Sequence, residues 1–142
     1  MKLKLWPSPP TALVKTSELT GAALDWAVAK AEYTDGRKIV PLFGHSVGVE
    51  THPGSDFQFK FWPSTDWSQG GPIIEREKIT TRFNCKQANT WEAYIWTPTQ
   101  HDLSEVDCNE HWSFGPTPLI AAMRCFVASK LGEEVEIPEE LK

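Results

Sequence analysis

Two helical stretches bracketing three or four strands at hairpin-like spacing predict an α+β fold with a small, mainly antiparallel sheet. Three observations carry that reading. Residues 117–132 have the cap, the apolar period and the stop signal of a helix. Residues 17–33 repeat their apolar side chains at helical spacing. Between these lie residues 57–61, 79–83 and 91–96, which read as strands. The 142 residues fit a single domain, 1–142. Within it the sequence suggests an extended proline-containing arm (1–15), a core (16–132) and an acidic tail (133–142).

Taken in order, Trp6-Pro7-Ser8-Pro9-Pro10 forbids a helix at the start and favours extended chain. The first helix has Ser17 or Thr20 as its cap and Thr34-Asp35-Gly36 as its stop. Leu24, Ala27, Val28 and Ala31 form one apolar stripe. Trp26 and Tyr33 lie on nearly the opposite side, beside Ala22 and Ala29. Two non-polar sides favour burial on both, one against the sheet and one under a loop. The sharper alternative is that Trp26 and Tyr33 line a pocket or a subunit contact. Residues 39–43 suit a short edge strand because they contain Pro41. Residues 44–56 show no period.

Phe57-Gln58-Phe59-Lys60-Phe61 alternates as a half-buried strand does. Residues 79–83 and 91–96 are expected to pair through the polar connection 84–90. Trp91, Ala93 and Ile95 then share one face, and Glu92, Tyr94 and Trp96 the other. Residues 97–116 have no period and read as a functional or mobile loop. In the last helix Thr117 is the N-cap and Pro118 takes the first helical position. Leu119, Ile120, Met123, Phe126, Val127 and Leu131 form a wide stripe, and Gly132 suits a left-handed C-cap. Ala121, Cys125, Ala128 and Ser129 leave the other side small enough for a close neighbour, so this helix is expected to be largely buried.

Composition narrows the function classes. With 40% hydrophobic and 23% charged residues the chain is an ordinary globular one. A formal net charge of -5 argues against nucleic acid, whose backbone is gripped by Lys and Arg. It argues equally against a polybasic membrane anchor. No stretch approaches the apolar length of a membrane span, and the start lacks the apolar run of a signal peptide. Cys85, Cys108 and Cys125 are too few to be a disulfide framework, which suggests a reducing cytoplasm. Seven tryptophans are an excess, and each indole offers a large area for core or for stacking.

Residues 63–77, PSTDWSQGGPIIERE, concentrate the binding signals. Ser64, Thr65 and Asp66 favour a turn. Gly70-Gly71-Pro72 allows close backbone approach and a nest of N–H groups for an anion. Arg76 offers a guanidinium fork, and Trp62 and Trp67 offer stacking faces. With Gln69, and with Thr117 at a helix N-terminus, these make the candidate ligand set: Trp62, Asp66, Trp67, Gln69, Gly70, Gly71, Arg76 and Thr117. The plain alternative is a solvated turn followed by an alternating charge run. The stretch is neither a phosphate-binding P-loop nor a dinucleotide fingerprint.

Three blocks of the chain, SELTGAALDWAVAKAE, PSTDWSQGGPIIERE and GPTPLIAAMRCFVASKLGEEVEIPEEL, lie in order and cover roughly half of it. In them the sequence resembles the NinX-like family of small bacteriophage proteins. The resemblance implies a phage or prophage origin and expression in the bacterial cytoplasm. It carries over no functional residue.

Three function classes follow. The first is a phage accessory protein that binds a small anionic or nucleotide-like ligand, sequestering a host nucleotide signal as a counter-defence. This has an analogy of context, since phage accessory proteins of this size include such sequestrators. The second is a protein-interaction module with Trp6, Trp26 and Trp112 as anchors. The third and least supported is an enzyme. Asp56, Asp66, Glu75 and Glu77 with His45, His52, His101 and His111 supply raw material but no recognisable site. Cys108-Asn109-Glu110-His111 has metal-ligand spacing but lacks the second pair that zinc sites show, so no metal or cofactor is expected. Self-association remains open, because a small domain gains pocket walls at an interface.

Overall fold

The computed structural model describes residues 10–43, 45–98 and 108–142, the side chains of 96–98 and 108–110 excepted. In chain order the elements are β1 (Thr11–Lys15), α1 (Gly21–Glu32), β2 (Ile39–Leu42), β3 (Ser46–Glu50), β4 (Gln58–Phe61) and α2 (Trp67–Glu77). They continue with β5 (Ile79–Phe83), β6 (Trp91–Pro98), β7 (Cys108–Gly115), α3 (Pro118–Leu131) and β8 (Glu134–Pro138). The class is α+β, but with three helices and three small antiparallel sheets in place of two helices and one sheet. The sheets are β1–β8, β2–β3–β4 and β5–β6–β7.

Helix α3 is the hub. Thr117 Oγ1 accepts from the Ile120 N–H at 3.1 Å, and Pro118 takes the first turn, where its missing N–H costs nothing. From Ala121 to Val127 every residue is buried, because α3 packs on α1, α2 and all three strands of the β5–β6–β7 sheet. Gly132 ends it at φ 91°, ψ -166°, outside the expected left-handed helical region, and turns the chain into β8.

The sheet beneath α3 keeps the expected alternation. Ile79, Ala93 and Ile95 are buried toward the core. The other face holds Arg82, Glu92, Tyr94, Trp112 and Phe114, set side by side by the register Arg82↔Glu92↔Phe114 and Thr80↔Tyr94↔Trp112. Arg82 Nε bonds Glu92 at 2.5 Å, its guanidinium lies 5.2 Å from the Trp112 ring, and Trp112 stacks on Tyr94 at 4.6 Å.

On the other side of the core, α1 covers the β2–β3–β4 sheet through Val47, Val49 and Phe61. Tyr33 meets Phe59 and Phe61 edge-on at 6.0 and 5.5 Å, so it is packing. Trp26 is buried with Lys30 5.3 Å over its ring.

Three elements depart from the sequence reading. Residues 46–50 form the central strand β3, with Val47 to Glu50 all buried. Residues 108–115 form β7, whose partner β6 recruits a polar segment with no period of its own. Residues 67–77 form α2 and not a loop. The helix 17–33 is shorter than expected, since Thr16–Glu18 makes a 3-10 turn and α1 starts at Gly21. The proposed arm and tail meet: Thr11–Lys15 pairs with Glu134–Pro138, Leu13 opposite Glu136. Residues 1–9 of the arm, and 99–107 of the proposed loop, lie outside the described residues.

One buried carboxylate joins α1 to the turn after β4. Asp25 is 5% exposed, and its Oδ1 accepts from the Ser64 N–H at 2.8 Å. Burial pushes its carboxyl up from 3.8 to about 6, against the lowering effect of the Ser64 bond. A raised carboxylate in the folded state favours the protonated form. Its contribution is therefore fully present below 3.8 and is lost as pH rises through about 6. The loss is of order 3 kcal/mol, since one unit is about 1.4 kcal/mol. Asp25→Asn keeps a carbonyl for the Ser64 N–H and removes the charge. It is expected to raise the urea midpoint at pH 8 and to leave it nearly unchanged at pH 4. Equal losses at both pH values would show that the ionised carboxylate is not the costly species.

Candidate functional site

The stretch around Trp67 is built for folding. Asp66 caps α2, its Oδ1 accepting from the Ser68 N–H at 2.9 Å and the Ser68 hydroxyl at 2.7 Å. A carboxylate there complements the positive helix end and stands where an external anion would bind. Gln69 Oε1 accepts from the Trp62 N–H at 2.7 Å, and its Nε2 donates to the Lys60 carbonyl at 3.0 Å. Lys60 Nζ lies 4.7 Å over the Trp62 ring. The Arg76 fork is engaged by Glu32, at 2.7 and 2.5 Å, and its Nε by Glu77 at 3.1 Å.

The glycine pair is helical, with no positive φ. A Cβ on Gly70 would stand 2.5 Å from both Leu119 Cδ1 and the Pro63 carbonyl. Gly70 thus allows α2 to touch the start of α3, while Gly71 faces open space. Trp67, 55% exposed, stands at the first turn of α2, and Thr117 is exposed with its hydroxyl capping α3. The structure therefore gathers Trp62, Asp66, Gln69 and Gly70 around one helix start, and uses their polar groups internally.

A different constellation lies on the far side of α3. Arg124 sits among Met123, Cys125 and Phe126 and is only 9% exposed. Its Nε donates to the Leu19 carbonyl at 2.8 Å and its Nη1 to the Phe114 carbonyl at 2.7 Å. No carboxylate among the described residues pairs with it. Burial without a counter-charge lowers its pKa from the usual guanidinium value. Buried charges are ordinarily paired, because the desolvation cost is several kcal/mol per ion.

The remaining nitrogen, Nη2, has no hydrogen-bond partner among the described residues. Arg124 lines an open groove of about 680 Å3. Ser17, Gln87, Asn89, Thr90, Ser113 and the rings of Trp112 and Phe114 complete its walls. The arrangement offers one fixed cation, neutral hydrogen-bonding groups and the partly exposed ring of Phe114, while the Trp112 ring is already packed by Tyr94 and Arg82. A neighbouring groove of about 950 Å3 shares Ser17, Trp112 and Ser113 with it.

Residues 15–130 match the family model described as Bacteriophage P22, NinX. The chain belongs to this family. No curated protein matches it. For this NinX-family chain the matched range includes Arg124, Phe114 and α2, and stops short of β8.

Sequence reasoning passed over Arg124, although a signal was present. An arginine in MRCF interrupts a helix that both stripes mark as buried, and a cation in such a place needs a partner or a purpose. Phe114 and the Asn89 corner had no such signal, because β7 was not legible as a strand. Cys125 is a poor nucleophile here: burial pushes its thiol up to about 12, and the Sγ donates to the His111 carbonyl at 3.0 Å. Of the proposed metal-spacing residues, His101 and the Cys108 side chain lie outside the described residues. Among the described residues no group of three His, Cys, Asp or Glu side chains is placed to hold a metal ion. No described helix is long and apolar enough to cross a membrane.

The two glycines of α2 should separate cleanly. Gly70→Ala forces a methyl into Leu119 and Pro63 and is expected to cost roughly 1–3 kcal/mol. Gly71→Ala meets nothing and is expected to stabilise by up to about 1 kcal/mol through helix propensity. Denaturant unfolding of both variants measures this; the reverse order would mean that the segment is not a packed helix.

Proposed function

We propose that this NinX-family protein is a binding protein for a small anionic ligand, held in the groove beside β7 and not at the α2 turn. The observation that supports it is Arg124: a buried guanidinium that lines the groove and has no carboxylate partner among the described residues. An oxyanion reaching Nη2 supplies the missing counter-charge in a partly desolvated place, where a charge-assisted bond is strongest. Ser17 and Asn89 add neutral donors.

The same lining favours a binder over an enzyme. Among the described residues that line the groove there is no carboxylate, histidine, lysine or cysteine to serve as a general base or nucleophile. In a phage accessory protein, stoichiometric capture of this kind suits sequestration of a host nucleotide signal, and we include that counter-defence role in the proposal. The second reading, docking of a host or phage protein, draws on the exposed rings of Phe114 and Trp112, which share one face of the β5–β6–β7 sheet.

The test is a thermal-shift and amide-NMR titration of the full chain with inorganic phosphate, pyrophosphate and a panel of mono- and cyclic nucleotides. Saturable stabilisation is expected, with shifts at Asn89, Thr90 and Phe114. Arg124→Lys should weaken binding at least tenfold. Arg124 also ties Leu19 to Phe114, so a second variant, Asn89→Asp, brings a repelling carboxylate into the groove and leaves that tie intact. It too should weaken binding, whereas Arg76→Gln should not. Folded protein that shows no response across the panel would overturn the reading, and a stoichiometric partner recovered from host lysate would then favour the second.

A further inference from the structure

The groove beside β7 holds a single charge. Among the described residues that line it, Arg124 is the one charged side chain, and the others are neutral. Two of its N–H groups are engaged by the Leu19 and Phe114 carbonyls, whose dipoles already offset part of the cation. Charges outside the lining do not supply a second one. Arg82 is paired with Glu92. The neighbouring groove sets Lys15 against Glu133 and Glu134. Lys86, beside Gln87, is exposed to solvent, where its field is screened. The chain as a whole has a formal net charge of -5.

An anion in this groove therefore finds compensation for one negative charge and no more. A phosphate diester carries one. A phosphate monoester carries nearly two above neutral pH, since its second pKa is about 6. That second charge would leave water with no partner, and an unpaired charge in a partly desolvated place is costly. Resting on the proposed function, we infer that the groove selects a nucleotide whose phosphate is a diester over one whose phosphate is a monoester. The partly exposed Phe114 ring adds apolar surface that an esterifying carbon group can cover and a bare phosphate oxygen cannot. A cyclic nucleotide has this chemistry; a nucleoside 5′-monophosphate does not.

Calorimetry of the full chain at pH 8 isolates the charge. The probes are inorganic phosphate and ribonucleoside 5′-monophosphates, each monophosphate beside its own phosphate methyl ester. Within such a pair the ligands differ by one charge and one methyl group. The methyl ester is expected to bind tighter than its parent by roughly fivefold or more. Gln87→Lys, at an exposed position in the lining, brings a second cation and should narrow that preference by roughly threefold or more. A parent that binds the unaltered chain within that margin of its ester, or tighter, would overturn this inference and leave the proposed function standing. So would binding of inorganic phosphate alone. A preference that Gln87→Lys leaves unchanged would trace it to the methyl group and overturn the inference equally. No binding of any of these probes would remove both.

Discussion

The burial of α3 on every side is the constraint on which the rest of the fold depends. A helix enclosed by two other helices and a three-stranded sheet cannot carry charge without a means to neutralise it. Its buried part carries one, Arg124, and answers it with two main-chain carbonyls, those of Leu19 and Phe114. Leu19 belongs to the approach to α1, and Phe114 belongs to the edge strand β7. The guanidinium thus links segments that share no sheet, and the groove between them is a by-product of that link. Carbonyl dipoles stabilise the cation but do not cancel it, which leaves an electrostatic demand at the surface.

How much of this was legible in the sequence depends on whether an element carries its own signal. Helix α3 does: Thr117, Pro118 and a doubled apolar pattern set its start and its burial. The β5–β6 pair does as well, through the alternation in WEAYIW. Strand β3 does not, because SVGVE sits in a segment rich in Gly, Ser and Thr, and is a strand because β2 and β4 flank it. Strand β7 is polar and takes its conformation from β6. Helix α2 reverses local expectation. Two glycines and a proline oppose a helix, and the Asp66 cap with the fit of Gly70 against Leu119 overrides them.

The candidate site follows the same division. Residues picked for their chemistry, such as Asp66, Gln69 and Arg76, prove to be satisfied within the protein: Asp66 by Ser68 in its own helix turn, Gln69 by the backbone of Lys60 and Trp62, and Arg76 by Glu32 across 44 positions. Arg124 was visible as an anomaly inside an apolar helix, but its lack of a counter-charge is a fact of three-dimensional placement. The distinction is general: a sequence shows which groups are capable of binding, and only packing shows which have been left with capacity to do so.

The pairing of β1 with β8 has a consequence for the life of the protein in the cell. One wall of the groove that neighbours the Arg124 site, from Lys15 to Thr16, is anchored by Glu133 and by the strand that follows it. During synthesis the α1 region emerges early and must wait for the final strand before that wall closes. A chain lacking residues 134–138 would lose the strand that pairs with Thr11–Lys15, and with it the anchor of that wall. The first strand of the chain therefore has no partner until the last one has been made, a pairing of high sequence separation.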